Sequence, residues 1–249
     1  MALPPPFLLH HFAEVPSTQD KAWEFIKAGG ESGLIICAER QTKGRGRQGR
    51  VWETPAGNLA MTLAWRMDSP KGRPGDYSLL VAVALFKTLK SFIQSTVDLH
   101  IKWPNDLLLN QKKCAGILLE APEPGWLLIG IGVNLVWAPV DRACLTDFDP
   151  KPVTVSQMIE RFCFHFLEMT TEYRRTGLGP ALEIWHQAAF GLGQTILVHL
   201  PHSEFKGIFR GLNDHGACQV ELPGGQIRLV QSGEVFFETA AIPNNEKAV

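Results

Sequence analysis

The chain lacks an apolar run of the ~18 residues that a membrane helix requires, so no membrane association is expected. Its start, Met1-Ala2-Leu3-Pro4-Pro5-Pro6, has neither the positive segment nor the apolar segment of a secretory signal, and the expected location is cytoplasmic. Cysteine is sparse and scattered. Cys37, Cys114, Cys144, Cys163 and Cys218 are odd in number and include no C-x-x-C pair, which argues against a disulfide framework and a zinc site alike. Net charge is also nearly absent, at -1 with a pI of about 6.7. A dedicated nucleic-acid binder would be basic. There is no internal repeat and no low-complexity tract.

What is present is enough apolar content, 45% of 249 residues, for a sizeable core. Up to about residue 190 the pattern alternates strands and helices. A short strand over 7–12 precedes Ser17-Thr18-Gln19-Asp20, which has the form of a capping box opening a helix over 18–28. Strands are predicted at 34–38 and 58–66 and a packed helix over 77–93. Four apolar runs follow, at 100–103, 107–109, 115–120 and 127–135, then amphipathic helices at 155–169 and 181–190. These imply an α+β unit, a mixed, largely antiparallel sheet covered by helices. After Gly191-Leu192-Gly193 come five short strands, at 195–200, 207–212, 218–222, 227–230 and 234–237, which suit a small β-barrel. Two domains are expected, 1–190 and 191–249, with a frayed polar end at 243–247.

Against the near-neutral background one segment stands out. From Arg40 to Arg50 there are five cationic residues and no carboxylate, punctuated by Gly44, Gly46 and Gly49. Glycines let backbone N–H groups approach a ligand, and arginines supply planar forks for phosphate oxygens. By pattern Gly44-x-Gly46-x-x-Gly49 matches a dinucleotide fingerprint, yet that fingerprint must open into a helix. Here Val51-Trp52-Glu53-Thr54-Pro55-Ala56-Gly57 leads into a strand. The stretch is short and isolated for a nucleic-acid site, and a solvated surface loop is the remaining alternative. Like charges and glycines predict mobility without ligand.

Lys102-Trp103-Pro104-Asn105-Asp106 sets a cation, an indole, an amide and a carboxylate between two strands. Asp106 suits magnesium or an arginine and Asn105 a nucleotide, while the same row also works as a turn satisfying its own backbone. Lys113 enters a strongly apolar strand, which is costly without an anion, or else sits exposed in a hairpin. Gly130 and Gly132 share one strand face, ahead of Asn134, as if something approached the backbone closely.

Ser17-Thr18-Gln19, Gly44 to Arg50 with Trp52, Lys102 to Asp106, Lys113-x-x-Gly116-Ile117-Leu118-x-Glu120 and Gly130-x-Gly132-x-Asn134 occur in an order that resembles biotin protein ligases. The similarity runs from about Phe7 to Phe237. It implies a class II synthetase-like catalytic domain with an SH3-like C-terminal barrel. It also implies a two-step reaction: biotin and ATP, with Mg2+, give biotinyl-5'-AMP, and a lysine of a carrier such as the biotin carboxyl carrier protein of acetyl-CoA carboxylase then attacks it. By this resemblance Ser17, Thr18, Gln19, Gln41, Gly44, Arg45, Gly46, Arg47, Trp52, Lys113 and Gly116 would bind biotin. Arg47, Arg50, Trp52, Lys102, Asn105, Asp106, Lys113 and Asn134 would serve ATP, with Asp106 toward magnesium and Lys113, Arg47 and Arg50 catalytic. A related lipoate or octanoate ligase is the nearest alternative, and a noncatalytic RNA-binding module the alternative from another class. Only sixteen residues stand ahead of Ser17, so a helix-turn-helix domain of roughly sixty residues, which some members of that family carry, is not expected. No DNA binding is expected, and the protein would be a monomer or homodimer.

Overall fold

The computed structural model describes residues 3–67, 72–149, 151 and 153–237; the polar end at 243–247 lies outside them. Strands β1 (Leu8–Val15) and β2 (Leu34–Gln41) pair in parallel. A parallel pair needs a crossover, and α1 (Thr18–Lys27) supplies it. The sheet is completed by β3 (Leu59–Arg66), β4 (Leu99–Lys102), β5 (Asp106–Leu109), β6 (Lys112–Glu120) and β7 (Trp126–Val133). All of these pair antiparallel, in the order β1-β2-β3-β7-β6-β5-β4.

Two faces of this sheet are filled differently. Ala22 and Ile26 of α1 pack on Leu34, Ile36, Ala64 and Leu128. The opposite face carries α2 (Pro74–Lys90), which packs against α3 (Val155–Thr176) and α4 (Gly179–Ala188). Helix α2 is buried almost all round, as a helix sandwiched between sheet and helices must be. It begins at Pro74 rather than the expected Tyr77, because a proline's fixed φ suits the first turn of a helix. It also stops at Lys90, short of Ile93. Helix α3 runs on past Met169 to Thr176, where Gly177 at φ 81 ends it.

The C-terminal strands β8 (Thr195–Leu200), β9 (Ser203–Leu212), β10 (Cys218–Glu221), β11 (Ile227–Val230) and β12 (Glu234–Phe237) form a second, wholly antiparallel sheet, in the order β11-β10-β9-β8-β12. Aromatic rings join it to the first unit: Phe190 meets Phe237 at 4.9 Å between centroids, and Trp185 meets Phe209 at 6.2 Å. The Phe190 amide donates to the Ile101 carbonyl at 2.9 Å. These contacts bring β12 against the end of β4. No helix among the described residues is long and apolar enough to cross a membrane.

Candidate active site

The arginine loop leaves β2 at Gln41 and folds back on itself. Gly46 N donates to Arg50 O at 2.7 Å and Trp52 N to Gly44 O at 3.0 Å. Gly44 lies so close to the Trp52 carbonyl that a Cβ would overlap it, and Gly49 turns the chain at φ 73. Gly46 is not crowded in this way.

The three arginines of the loop have different partners. The Arg45 guanidinium meets Asp20 at 2.8 Å and Glu120 at 3.0 Å, and donates to Ser17 Oγ at 3.1 Å. Its hydrogen bonds to Asp20 and Glu120 push its pKa further up. This corrects the capping-box expectation: Ser17 is the N-cap of α1, but its side chain makes no cap hydrogen bond, because its hydroxyl and Asp20 both turn to Arg45. Arg47 meets only neutral acceptors, Asn105 Oδ1 and the Gly233 carbonyl, each at 3.2 Å. Burial lowers its pKa. Arg50 pairs with Glu234, at the start of β12. The three arginines of this loop, whose like charges are expected to repel one another, are thus each met by a protein acceptor.

Asp106 opens β5 opposite Lys102 in register, and its carboxylate meets Lys113 Nζ at 2.5 Å. The Lys102 ammonium sits 5.6 Å from the Phe237 ring centroid, and burial lowers its pKa despite the opposing charge of Asp106. Arg47 and Lys102 are therefore partly desolvated cations with no carboxylate within salt-bridge distance among the described residues. Such cations favour an incoming anion.

Toward α1 the lining is uncharged apart from Arg45, whose charge Asp20 and Glu120 neutralise. Thr18 N and Oγ1 both donate to Gln41 Oε1, at 2.8 and 3.1 Å, while Gln41 Nε2 donates to Thr54 Oγ1. Gln19 Nε2 donates to the Leu118 carbonyl, leaving its buried Oε1 without a partner. The glycine face of β7 explains itself here. Gln19 lies on Gly130, and the Trp52 indole lies on Gly132 and Gly116, where a Cβ on Gly132 would overlap the ring. Lys113 Nζ stands 5.6 Å from the indole centroid.

One cavity gathers Ser17, Thr18, Gln19, Gln41, Arg45, Gly46, Arg47, Arg50, Trp52, Lys102, Asn105, Asp106, Lys113 and Gly116. Two residues of the expected set stand apart. Gly44 borders a shallower recess behind Trp52. Asn134 is buried, its side chain donating to the Ala143 carbonyl at 3.1 Å and its carbonyl accepting from Leu145 N. Asn105 is also engaged by the protein, donating to the Ile117 carbonyl at 2.7 Å. Sequence reasoning missed Arg142 and Glu234, which line the same cavity. Neither belongs to a motif: an isolated bridge to Lys113 brings in Arg142, and β12 of the second sheet brings in Glu234.

Residues 12–134 match the Biotin/lipoate A/B protein ligase family and residues 191–238 the Biotin protein ligase C terminal domain. A biotin--[acetyl-CoA-carboxylase] ligase of Paracoccus denitrificans is 34% identical over 81% of this chain and 89% of its own length. The chain belongs to the biotin protein ligase family. A bifunctional ligase/repressor BirA of Bacillus subtilis is 30% identical over 92% of this chain and 73% of its own. In fold, this chain matches the Aquifex aeolicus biotin protein ligase solved with biotin and ATP. The TM-score is 0.81 at 24% identity, over 92% of this chain and 97% of that one.

Proposed function

We propose that this chain joins biotin to ATP as biotinyl-5'-AMP, releasing pyrophosphate, and passes biotin to a lysine of a carrier protein such as the biotin carboxyl carrier domain of acetyl-CoA carboxylase. The observation that carries this reading is the polarity of the cavity. Its α1 end, where Asp20 and Glu120 already neutralise Arg45, offers neutral donors and acceptors, including the free Gln19 Oε1, which suit a ureido ring. Its other end offers Arg47, Lys102 and Lys113. Negative charge grows on the α-phosphate and pyrophosphate in the first step and on the departing AMP in the second. Preorganised cations stabilise both, with no protein nucleophile needed. Lys113 stands at the junction, with Trp52 as its floor, and can face both the biotin carboxylate and the α-phosphate.

Magnesium fits this arrangement without a cage. Among the described residues no cluster of three or more metal-ligating side chains exists, but Mg2+ is commonly held by one carboxylate and the substrate phosphates. Asp106 would provide that carboxylate, and the ion when bound neutralises phosphate charge.

Incubation with biotin, ATP-Mg and a carrier domain should add one biotin to the carrier lysine, read by intact mass. No transfer to a carrier that a known ligase modifies refutes the reading. Lipoate replacing biotin in the same assay would favour the lipoate alternative. The reading includes no operator binding, so retardation of a biotin-operon promoter by the pure protein would overturn that part.

A further inference from the structure

Among the described residues lining the cavity, the only carboxylates are Asp106 and Glu234. Asp106 comes from a motif of the first unit. Glu234 comes from the other sheet, where β12 delivers it, 17% exposed, onto Arg50 of the loop. The adjoining Gly233 carbonyl accepts from Arg47, and the Glu234 charge also favours the charged forms of Arg47 and Lys102. One turn of the C-terminal sheet thus supplies acceptors to both arginines that the ligase reading assigns to phosphate.

A carboxylate at this place cannot be neutral toward a polyphosphate. It pairs with the same cations, and it repels the incoming charge at close range. We infer that Glu234 is a resident counter-anion of the phosphate site: it holds Arg50 until nucleotide phosphates displace it, drawing Arg50 and Arg47 from the C-terminal sheet onto the ligand. Nucleotide occupancy is then linked to the contact between the two sheets. A ligand that binds one set of contacts better shifts the population toward it. The ring packing of Phe237 on Phe190 lies at the far end of β12, so the change is confined to the Gly233–Val235 end. This inference rests on the ligase reading, which places the nucleotide at these arginines.

The test compares wild type with Glu234→Gln, which removes the charge and keeps the size. Binding of α,β-methylene-ATP-Mg to biotin-saturated protein should tighten about 1.5-fold to fivefold in the variant, the range for a partly exposed ion pair. Biotin affinity should stay the same. In wild type the analogue should speed amide hydrogen exchange at residues 233–235 while slowing it at 45–52, a readout that needs no variant. Unchanged or weaker nucleotide binding by a folded Glu234→Gln, or exchange at 233–235 that stays constant or slows, overturns the inference and leaves the ligase reading intact. If wild type binds no nucleotide at all, both fall.

Discussion

Arg45 and Arg47 sit two places apart in one loop and have opposite electrostatic surroundings. Arg45 is enclosed by a hydroxyl and two carboxylates, and the carboxylates raise its pKa, whereas Arg47 has a side-chain amide and a carbonyl, and burial lowers its pKa. The first is an anchor, tying the loop to α1 and β6. The second keeps an unneutralised charge facing the cavity. Cations alike in sequence are divided by their partners into those that hold the loop and those that await a ligand.

The sharpest extension of this contrast is Lys113, which has a carboxylate partner yet lies in the cavity. Lys113→Ala should lower adenylate formation by about 10²–10³-fold, the scale of one preorganised charge-stabilising group. Its melting temperature should stay close to wild type, since the pair is partly exposed. Equal collapse of folding and activity would return Lys113 to a structural role.

The contrast itself is tested by paired variants. Arg47→Met should speed release of bound biotinyl-5'-AMP by about tenfold, at one lost charge-assisted contact, with stability retained. Arg45→Met leaves Asp20 and Glu120 facing each other, and should cost about 1 kcal/mol in chemical denaturation and speed hydrogen exchange across the loop. If the two variants show the same profile, the division between anchor and ligand cation is wrong.

At the neutral end, Gly132→Ala should weaken biotin binding about threefold to tenfold, because its methyl displaces the Trp52 indole, and should cost about 1–3 kcal/mol for overpacking. Calorimetric biotin affinity equal to wild type would detach Trp52 from that pocket.

The smallest effect concerns Lys102. Its pKa is lower folded than unfolded, so burying its charge weakens the fold below the folded-state pKa. That penalty fades as pH rises toward the ordinary lysine value, where both states are neutral. Lys102→Met should therefore raise the melting temperature near neutral pH by about 2 °C, a gain that shrinks as pH rises toward about 10.4. Adenylate formation should fall in the same variant. A constant gain across that range would assign the effect to packing instead.

Much of the fold was legible because its strands are short, apolar and separated by turn residues; the strands 195–200, 227–230 and 234–237 have the expected bounds. Helix ends were less so. Pro74 opens α2 where apolar periodicity alone pointed to Tyr77, and Ser17 forgoes capping because a distant arginine competes for its hydroxyl. In the site, the glycines of β7 announced a close approach, but not that Gln19 and Trp52 would make it. Asn134, expected beside the nucleotide, instead ties β7 to the segment that follows it.

The sequence by itself determined the elements, the family and the inventory of cations, because apolar period, turn residues and motif spacing are local properties. Only the tertiary structure decided what each cation does. Charge is neutralised across space, by Asp20 and Glu120 at Arg45 and by Glu234, from a second sheet, at Arg50, and no local pattern encodes that pairing.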